Sequence, residues 1–542
     1  MLDIVIANTN QTVHVPEGTS IRQLLEASGI PNSESIVAAT MNNLPVGLNT
    51  CLFMNKTIRF IDRNCTDGKM IYMNSLVLVL NKAVNDIIPG ATLRVEHSIS
   101  DGFFCIVSKN GEHINEAVIA SLRQRMAEII EADKPILHIS TPTKDAIKLF
   151  SDKGLNSVSD ILKYRKNFYT TYYAIDSVLD YFPGTLVIST GYLKKFDLQP
   201  YYDGMLLQDS AQITPMPKLY QTYKNNWSLE QKARLTNIAD INAISTDQLQ
   251  ILIKISEALH EKNIVRIADK VTNNPKIRVV LVAGPSSSGK TTFSKRLSVQ
   301  IAASGVRPIP LSLDNYFVNR ADTPIDENGE HDFESLYSLD LERFYTDIQA
   351  LIKGEEVETP VYNFETGKRN EKGIQMKLNS NEVLIIEGLH AINPELTKSL
   401  PQEALIKVFV SALNTLSLNN HNCIPADDTR LLRRIIRDYK YRCYSAEDTI
   451  LRWPSVRRGE KKWIEPFQES VDEIFNSSLL FELAAIRRQA EPILLEVPHY
   501  SDAYPVAHRL LRLLNFIKPI PFSSIPATSL LREFLGGSGF KY

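Results

Sequence analysis

Residues Val279–Gly305 read VVLVAGPSSSGKTTFSKRLSVQIAASG, and this stretch decides the fold. Gly284-Pro285-Ser286-Ser287-Ser288-Gly289-Lys290-Thr291 fits G-x-x-x-x-G-K-[ST] at every fixed position. The run from Ile277 to Ala283 is rich in β-branched and aliphatic residues, as suits a parallel strand buried on both faces. Thr292 to Ala303 carries Phe293, Leu297, Val299 and Ile301 among good helix formers. Strand, glycine-rich loop and helix in that order predict an α/β domain with a phosphate cradle. Glycines let successive N–H groups turn inward around a polyphosphate, and the helix N-terminus adds positive potential. The cradle expected for ATP is Gly284 to Thr291 with Thr292. Lys290 reaches the β- and γ-phosphates, and Thr291 ligates Mg²⁺ through its hydroxyl. The alternative is a Gly/Ser-rich loop with no ligand.

Downstream residues supply the rest of a site. Val306 to Leu313 is a second short strand ending at Asp314-Asn315-Tyr316-Phe317. Ligands of open α/β sheets lie beyond the carboxyl ends of the strands, so Asp314 is expected to face the γ-phosphate and take a proton from an attacking hydroxyl. Its structural alternative is a cap or turn residue. A third strand, Glu382 to Ile386, leads to Glu387, placed to hold Mg²⁺ through water; here the alternative is a turn carboxylate. Lys407 to Val410 and Pro492 to Val497 are read as the fourth and fifth strands of a doubly wound sheet. In DTRLLRRIIRDYKYR, Asp428 to Arg442, the residues Arg430, Arg433 or Arg434, and Arg437 fall on one helical face. Converging guanidiniums suit the charge of a transferring phosphoryl group, although a basic face can equally be solvated.

The segments GPSSSGKTT, LSLDNYF, DFESLYSLD, TPVYNFETGKR, IIEGLHAI and DTRLLRRIIRD, in this order over about residues 276 to 500, resemble the phosphoribulokinase/uridine kinase family. The resemblance implies a P-loop kinase domain using ATP and Mg²⁺ to phosphorylate the 5′-hydroxyl of a nucleoside, uridine or cytidine first. It implies Asp314 as catalytic base, with Asp314, Phe317, Tyr362 and Arg430 at the acceptor. Glu334 falls where uridine kinases carry an Asp on the ribose hydroxyls. Arg430, Arg433 and Arg437 become the lid arginines. Two departures bear on the substrate: the base-contacting His of uridine kinases is here Gly367, and the Y-D-F segment reads Tyr362-Asn363-Phe364. A lost polar contact weakens discrimination, which leaves a sugar phosphate or other small hydroxyl compound as a rival acceptor.

Before the kinase segment, VPEGTSIRQLLEASGI and AATMNNLPVGLNTCL resemble the TGS domain of threonyl-tRNA synthetases and some GTPases. Strands at Leu2 to Ala7 and Thr12 to Val15, a helix from Ile21, and strands at Ser35 to Thr40 and Lys56 to Ile61 predict a β-grasp. EHSISDGFFCIV and STGYLKKFDL resemble the synthetase editing domain, but its His, His, Cys and His positions align with Asn74, Leu78, Phe182 and Leu186. Leu and Phe neither ligate a metal nor shuttle a proton, so an α+β domain that does not edit is expected.

The division is then 1–62, a TGS domain; 63–225, editing-like; 226–275, a helical connector; 276–515, the kinase domain; and 516–542, a loosely packed tail. A length of 542 residues suggests about three or four domains rather than one. The net charge of −2 excludes a globally basic nucleic-acid coat protein. Five cysteines without a C-x-x-C pair exclude a disulfide scaffold. Apolar runs such as Leu76 to Leu80 and Val279 to Ala283 are of strand length, far short of a membrane span, so a cytoplasmic protein is expected. The TGS likeness raises RNA or a regulatory ligand as a partner of the front half, with ATP as a switch, and the kinase resemblance raises a homo-oligomer.

Overall fold

The computed structural model describes residues 1–99, 102–210, 212–325, 329 and 331–542, with the backbone alone for 228–232. Ser100 and Asp101, inside the editing-like stretch, lie outside the described residues.

In the first unit Leu2–Ile6 pairs antiparallel with Gln11–Val15 and parallel with Lys56–Asp62, within a five-stranded sheet. The helix Ile21–Ser28 begins at a Ser20–Gln23 capping box and stops at Gly29, whose φ of 65° suits glycine. It buries Ile21, Leu24 and Leu25 against Ile4, Ile6 and Val15 of the sheet. The helix Thr66–Ile87 follows and is buried along most of its length; the strand-length run Leu76–Leu80 lies within it. Leu78, Phe182 and Leu186 belong to one buried apolar cluster around this helix. Their neighbour in the resemblance, Asn74, sits half-buried on the same helix.

The front half is joined to the back by buried polar contacts. His421 and Asp180 lie 2.7 Å apart, and the Val95 amide donates to the Asn420 carbonyl at 2.7 Å. Before the kinase sheet comes helix α1 (Thr246–Thr272), whose Ile264, Ile267, Ala268 and Val271 join the core beneath that sheet.

The sheet has strands β1 (Val279–Ala283), β2 (Arg307–Ser312), β3 (Glu382–Glu387), β4 (Leu405–Ser411) and β5 (Glu473–Asn476). Its order is β2-β3-β1-β4-β5 with every pair parallel. All five residues of β1 are fully buried, as a central parallel strand requires. Helices α2 (Lys290–Ala303), α3 (Leu341–Lys353), α4 (Ala426–Tyr441), α5 (Ala446–Trp463) and α6 (Glu482–Leu495) connect or cover them.

Two expectations are corrected. Pro492 to Val497 is not a strand: Pro492 lies inside α6, whose Ile486, Ala490, Ile493 and Leu494 are buried at helical spacing. Short apolar runs are ambiguous between helix and strand, and the true fifth strand is only four residues long. Nor is the end of the chain loosely packed. After α7 (Tyr504–Leu514), Ile517 and Ile520 join the core, and Leu530, Leu531, Phe534 and Leu535 are fully buried around the short helix α8 (Arg532–Leu535).

Among the described residues no helix is long and apolar enough to cross a membrane.

Candidate active site

The loop Gly284–Thr291 runs from the end of β1 into α2, at the carboxyl edge of the sheet. Gly284 is required there, because a Cβ would stand 2.2 Å from the Val410 carbonyl oxygen of β4. Ser287 and Gly289 have φ of 58° and 87°, the left-handed geometry that turns amides inward. Ser287 Oγ and Ser288 Oγ are buried without a hydrogen-bond partner. Among the described residues, Lys290 Nζ hydrogen-bonds the carbonyls of Gly284 and Pro285 alone, at 2.8 and 3.2 Å. Burial holds its ammonium below the usual lysine range, against the opposing pull of Glu387 and Asp314. Orphaned hydroxyls and a cation confined to backbone oxygens fit a polyphosphate ligand.

Asp314 stands in a 3₁₀ turn, Leu313–Tyr316, directly after β2. Burial raises its carboxyl above the ordinary range, while Lys290, Arg442 and Arg437 hold it down. Glu387, at the end of β3, is pushed up to about 7 by burial and by Asp314. Thr291 Oγ1 donates to Glu387 Oε1 at 3.3 Å. Two crowded carboxylates and a hydroxyl are oxygen ligands that fit a hard divalent cation such as Mg²⁺. Among the described residues no group of three or more His, Cys, Asp or Glu could hold a metal, so Asp314, Glu387 and Thr291 would need water or phosphate oxygens to complete a shell.

Of the expected acceptor residues, Phe317 and Tyr362 are brought together. Phe317, Tyr362 and Phe364 form an aromatic group, with Tyr362 centroids 5.6 Å from Phe317 and 5.1 Å from Phe364. Glu334 is raised to about 7 by burial, opposed by Arg434, and a Cβ at Gly459 would stand 2.4 Å from its own Cβ. Gly367, with φ of 67°, leaves room for Arg320: a Cβ there would lie 2.7 Å from Arg320 Nε. Arg320 donates to the Phe364 carbonyl at 2.9 Å.

The arginines of α4 divide into two sets. Arg430 grips Glu460 at 2.7 and 2.9 Å, donates to Asp427 at 2.6 Å, and reaches the Ser286 carbonyl at 3.1 Å. Arg433, fully buried, is paired with Glu482 through Nη2 at 2.6 Å and donates to the Ser287 carbonyl at 3.2 Å. These two therefore brace the outer surface of the loop through its carbonyls. Arg434 donates to Ser286 Oγ at 2.9 Å and to Asp438 at 3.2 Å. Arg437 also bonds Asp438, at 3.0 Å, and Arg442 stands 3.5 Å from it. Of the expected lid arginines, only Arg437 is among the groups acting on Asp314.

The sequence reading missed Arg442, Glu460 and Glu533. Arg442 closed the quoted basic stretch without being assigned a role. Glu460 lies in RRGEKK, which reads as a solvated face, yet its carboxylate is buried and accepts from the Ser286 amide at 2.7 Å. Glu533, in the supposed tail, accepts from the Thr292 amide and hydroxyl at 3.2 and 2.6 Å.

The kinase segment is similar to known proteins. The Phosphoribulokinase / Uridine kinase family matches residues 279–479. The uridine kinase of Bacillus pumilus is 26% identical over 197 residues, which cover 36% of this chain and 84% of that protein. The uridine kinase of Halobacterium salinarum is 27% identical over 195 residues, 36% of this chain and 77% of that protein. Among solved structures, the D-glycerate 3-kinase of Cryptococcus neoformans var. grubii covers 44% of this chain and 77% of its own, with a TM-score of 0.21 and 14% identity. The match to the Phosphoribulokinase / Uridine kinase family is thus confined to residues 279–479, and residues 1–278 and 480–542 lie outside it.

Proposed function

We propose that this chain is an ATP-dependent kinase that phosphorylates the 5′-hydroxyl of a nucleoside, uridine or cytidine first. The observation that carries the reading is the convergence of Asp314, Lys290, Glu387 and Thr291 at the end of the parallel sheet. Lys290 and the inward amides of Gly284–Thr291 bind and orient the polyphosphate. Mg²⁺ held by Thr291 Oγ1 and Glu387 would supply positive charge at the β- and γ-phosphates. Asp314 takes the proton from the acceptor hydroxyl as that oxygen bonds the γ-phosphorus and the γ-phosphorus bond to the β–γ bridging oxygen breaks, ADP leaving with that oxygen; its raised affinity for a proton suits a general base. Arg437 and Arg442 neutralise charge on the transferring group. Phe317, Tyr362 and Phe364 stack on the acceptor, and Glu334 accepts from its ribose hydroxyls.

The test is ADP release with a panel of nucleosides, wild type against Asp314→Ala. Release that is absent, or equal in the two proteins, rejects the reading.

A second acceptor class has its own support. Arg320 fills the space that Gly367 leaves open, and a guanidinium there favours an anionic group over a neutral base. A sugar phosphate is then the acceptor, and mass spectrometry of the products separates the two readings. For the front half, we propose a regulatory or RNA-binding module that does not edit, supported by the apolar packing of Leu78, Phe182 and Leu186. Deacylation of mischarged tRNA by the full chain would reject that.

A further inference from the structure

The loop's anion-binding groups are partly taken by the protein's own carboxylates. Glu460 accepts from the Ser286 amide, but Arg430 and Arg457 both grip it, so its charge is matched and its place fixed. Glu533 is different. Its bonds come from the amide and hydroxyl of Thr292, in the first turn of α2, where amides lack partners within the helix and favour anions. Its charge is felt at both Lys290 and Glu387, which places a carboxylate within the electrostatic reach of the phosphate cradle.

The segment that delivers it is anchored on both sides. Leu530 is fully buried against the loop, and a Cβ at Gly289 would stand 2.4 Å from Leu530 Cδ2. Phe534 lies under the Arg433 guanidinium at 5.3 Å. Beyond α8 the chain turns back through Gly536 and Gly537, with φ of 86° and 66°. Tyr542 then brings its hydroxyl to 2.8 Å from Thr292 Oγ1, with Lys295 Nζ 5.5 Å from its ring. Residues 537–542 are mostly exposed or half-buried, so this last stretch can leave without opening the core.

One amide proton serves one strong acceptor, and a polyphosphate beside Glu533 meets a like charge. We propose that residues 529–542 are an intramolecular competitor of the nucleotide, with the Glu533 carboxylate standing in for a phosphate oxygen at Thr292. Nucleotide binding must turn Glu533 away and loosen 536–542. Since the coupling is reciprocal, whatever captures this segment raises nucleotide affinity. The inference rests on the reading that Gly284–Thr292 binds a nucleotide.

The test uses the full-length protein and a fluorescent ATP analogue. Glu533→Gln is expected to bind it at least about tenfold more tightly than wild type, the scale of one charge-assisted contact. Tyr542→Phe should strengthen binding to a smaller degree. In the wild type, saturating analogue should speed amide exchange in 536–542, a measurement that needs no variant. Equal or weaker binding by Glu533→Gln, or exchange unchanged by the analogue, overturns the competitor. Lys290→Ala separates the two levels. If it abolishes binding while Glu533→Gln gains nothing, the competitor alone falls; if binding ignores Lys290→Ala, the kinase reading falls with it.

Discussion

Arg430 and Arg433 reach from α4 under the phosphate loop, Arg430 onto Asp427 and onto Glu460, which it shares with Arg457, and Arg433 onto Glu482. Arg434 and Arg437, from the same helix, share Asp438 with Arg442. The first region is buried and has at least one carboxylate for every cation; the second carries three cations on one anion, next to Asp314. Matched, buried charge fixes geometry, whereas surplus charge is available to a ligand. Under the proposed function, stability belongs to the first region and catalysis to the second, a division that breaks if variants in the two behave alike.

The largest effect is expected at Arg433. Arg433→Ala leaves Glu482 buried and unpaired, a loss of about 3–5 kcal/mol, read from urea unfolding. Arg437→Ala should cost under about 1 kcal/mol there, because Asp438 keeps two other partners. Equal losses would dissolve the distinction. Next in size is the rate: Arg437→Ala or Arg442→Ala should lower kcat by about a hundredfold, the scale of one lost transition-state donor, with the unfolding midpoint nearly unchanged. A stable protein at full rate would place the surplus charge outside the chemistry.

How much of this the sequence carried depends on the distance between partners. The loop was legible because its spacing is local and complete within eight residues, and Asp314 and Glu387 followed because strand ends fall at one edge of the sheet. The arginine faces were legible as basic but not as divided. Glu460 and Glu482 lie 30 and 49 residues from the arginines they neutralise, and no helical periodicity reports a partner that far away. Strand β5 was missed because four residues set no period, and Pro492 drew the eye to an apolar stretch that is helical. The burial of Leu530 depends on the bare backbone of Gly289, about 240 residues earlier, and propensity is silent on such contacts.

The same contrast between matched and unmatched charge extends to histidine. His97, His260 and His390 are buried, and burial depresses them to about 3, about 3 and about 4. Folded, they stay neutral; unfolded, they take a proton near pH 6.5. Their full contribution to stability is present above that value and is lost as pH falls through it, by about 1.4 kcal/mol per histidine at one unit below. Urea midpoints at pH 7.5 and 5.5 measure the loss.

The smallest change is expected where both partners of the matched pair are replaced. Arg433→Met with Glu482→Leu removes two charges together, and an apolar pair of similar volume is often neutral in such a place, so stability should stay within about 1 kcal/mol of wild type. The Ser287 carbonyl, however, loses the donor that Arg433 supplied at 3.2 Å. If the matched region acts through geometry, the double variant folds as well as wild type and yet binds the ATP analogue a few-fold more weakly. If binding is unaltered, Arg433 serves the core alone. The two outcomes tell a pair kept for loop position from one kept for packing, which the single variant, unstable for either reason, cannot do.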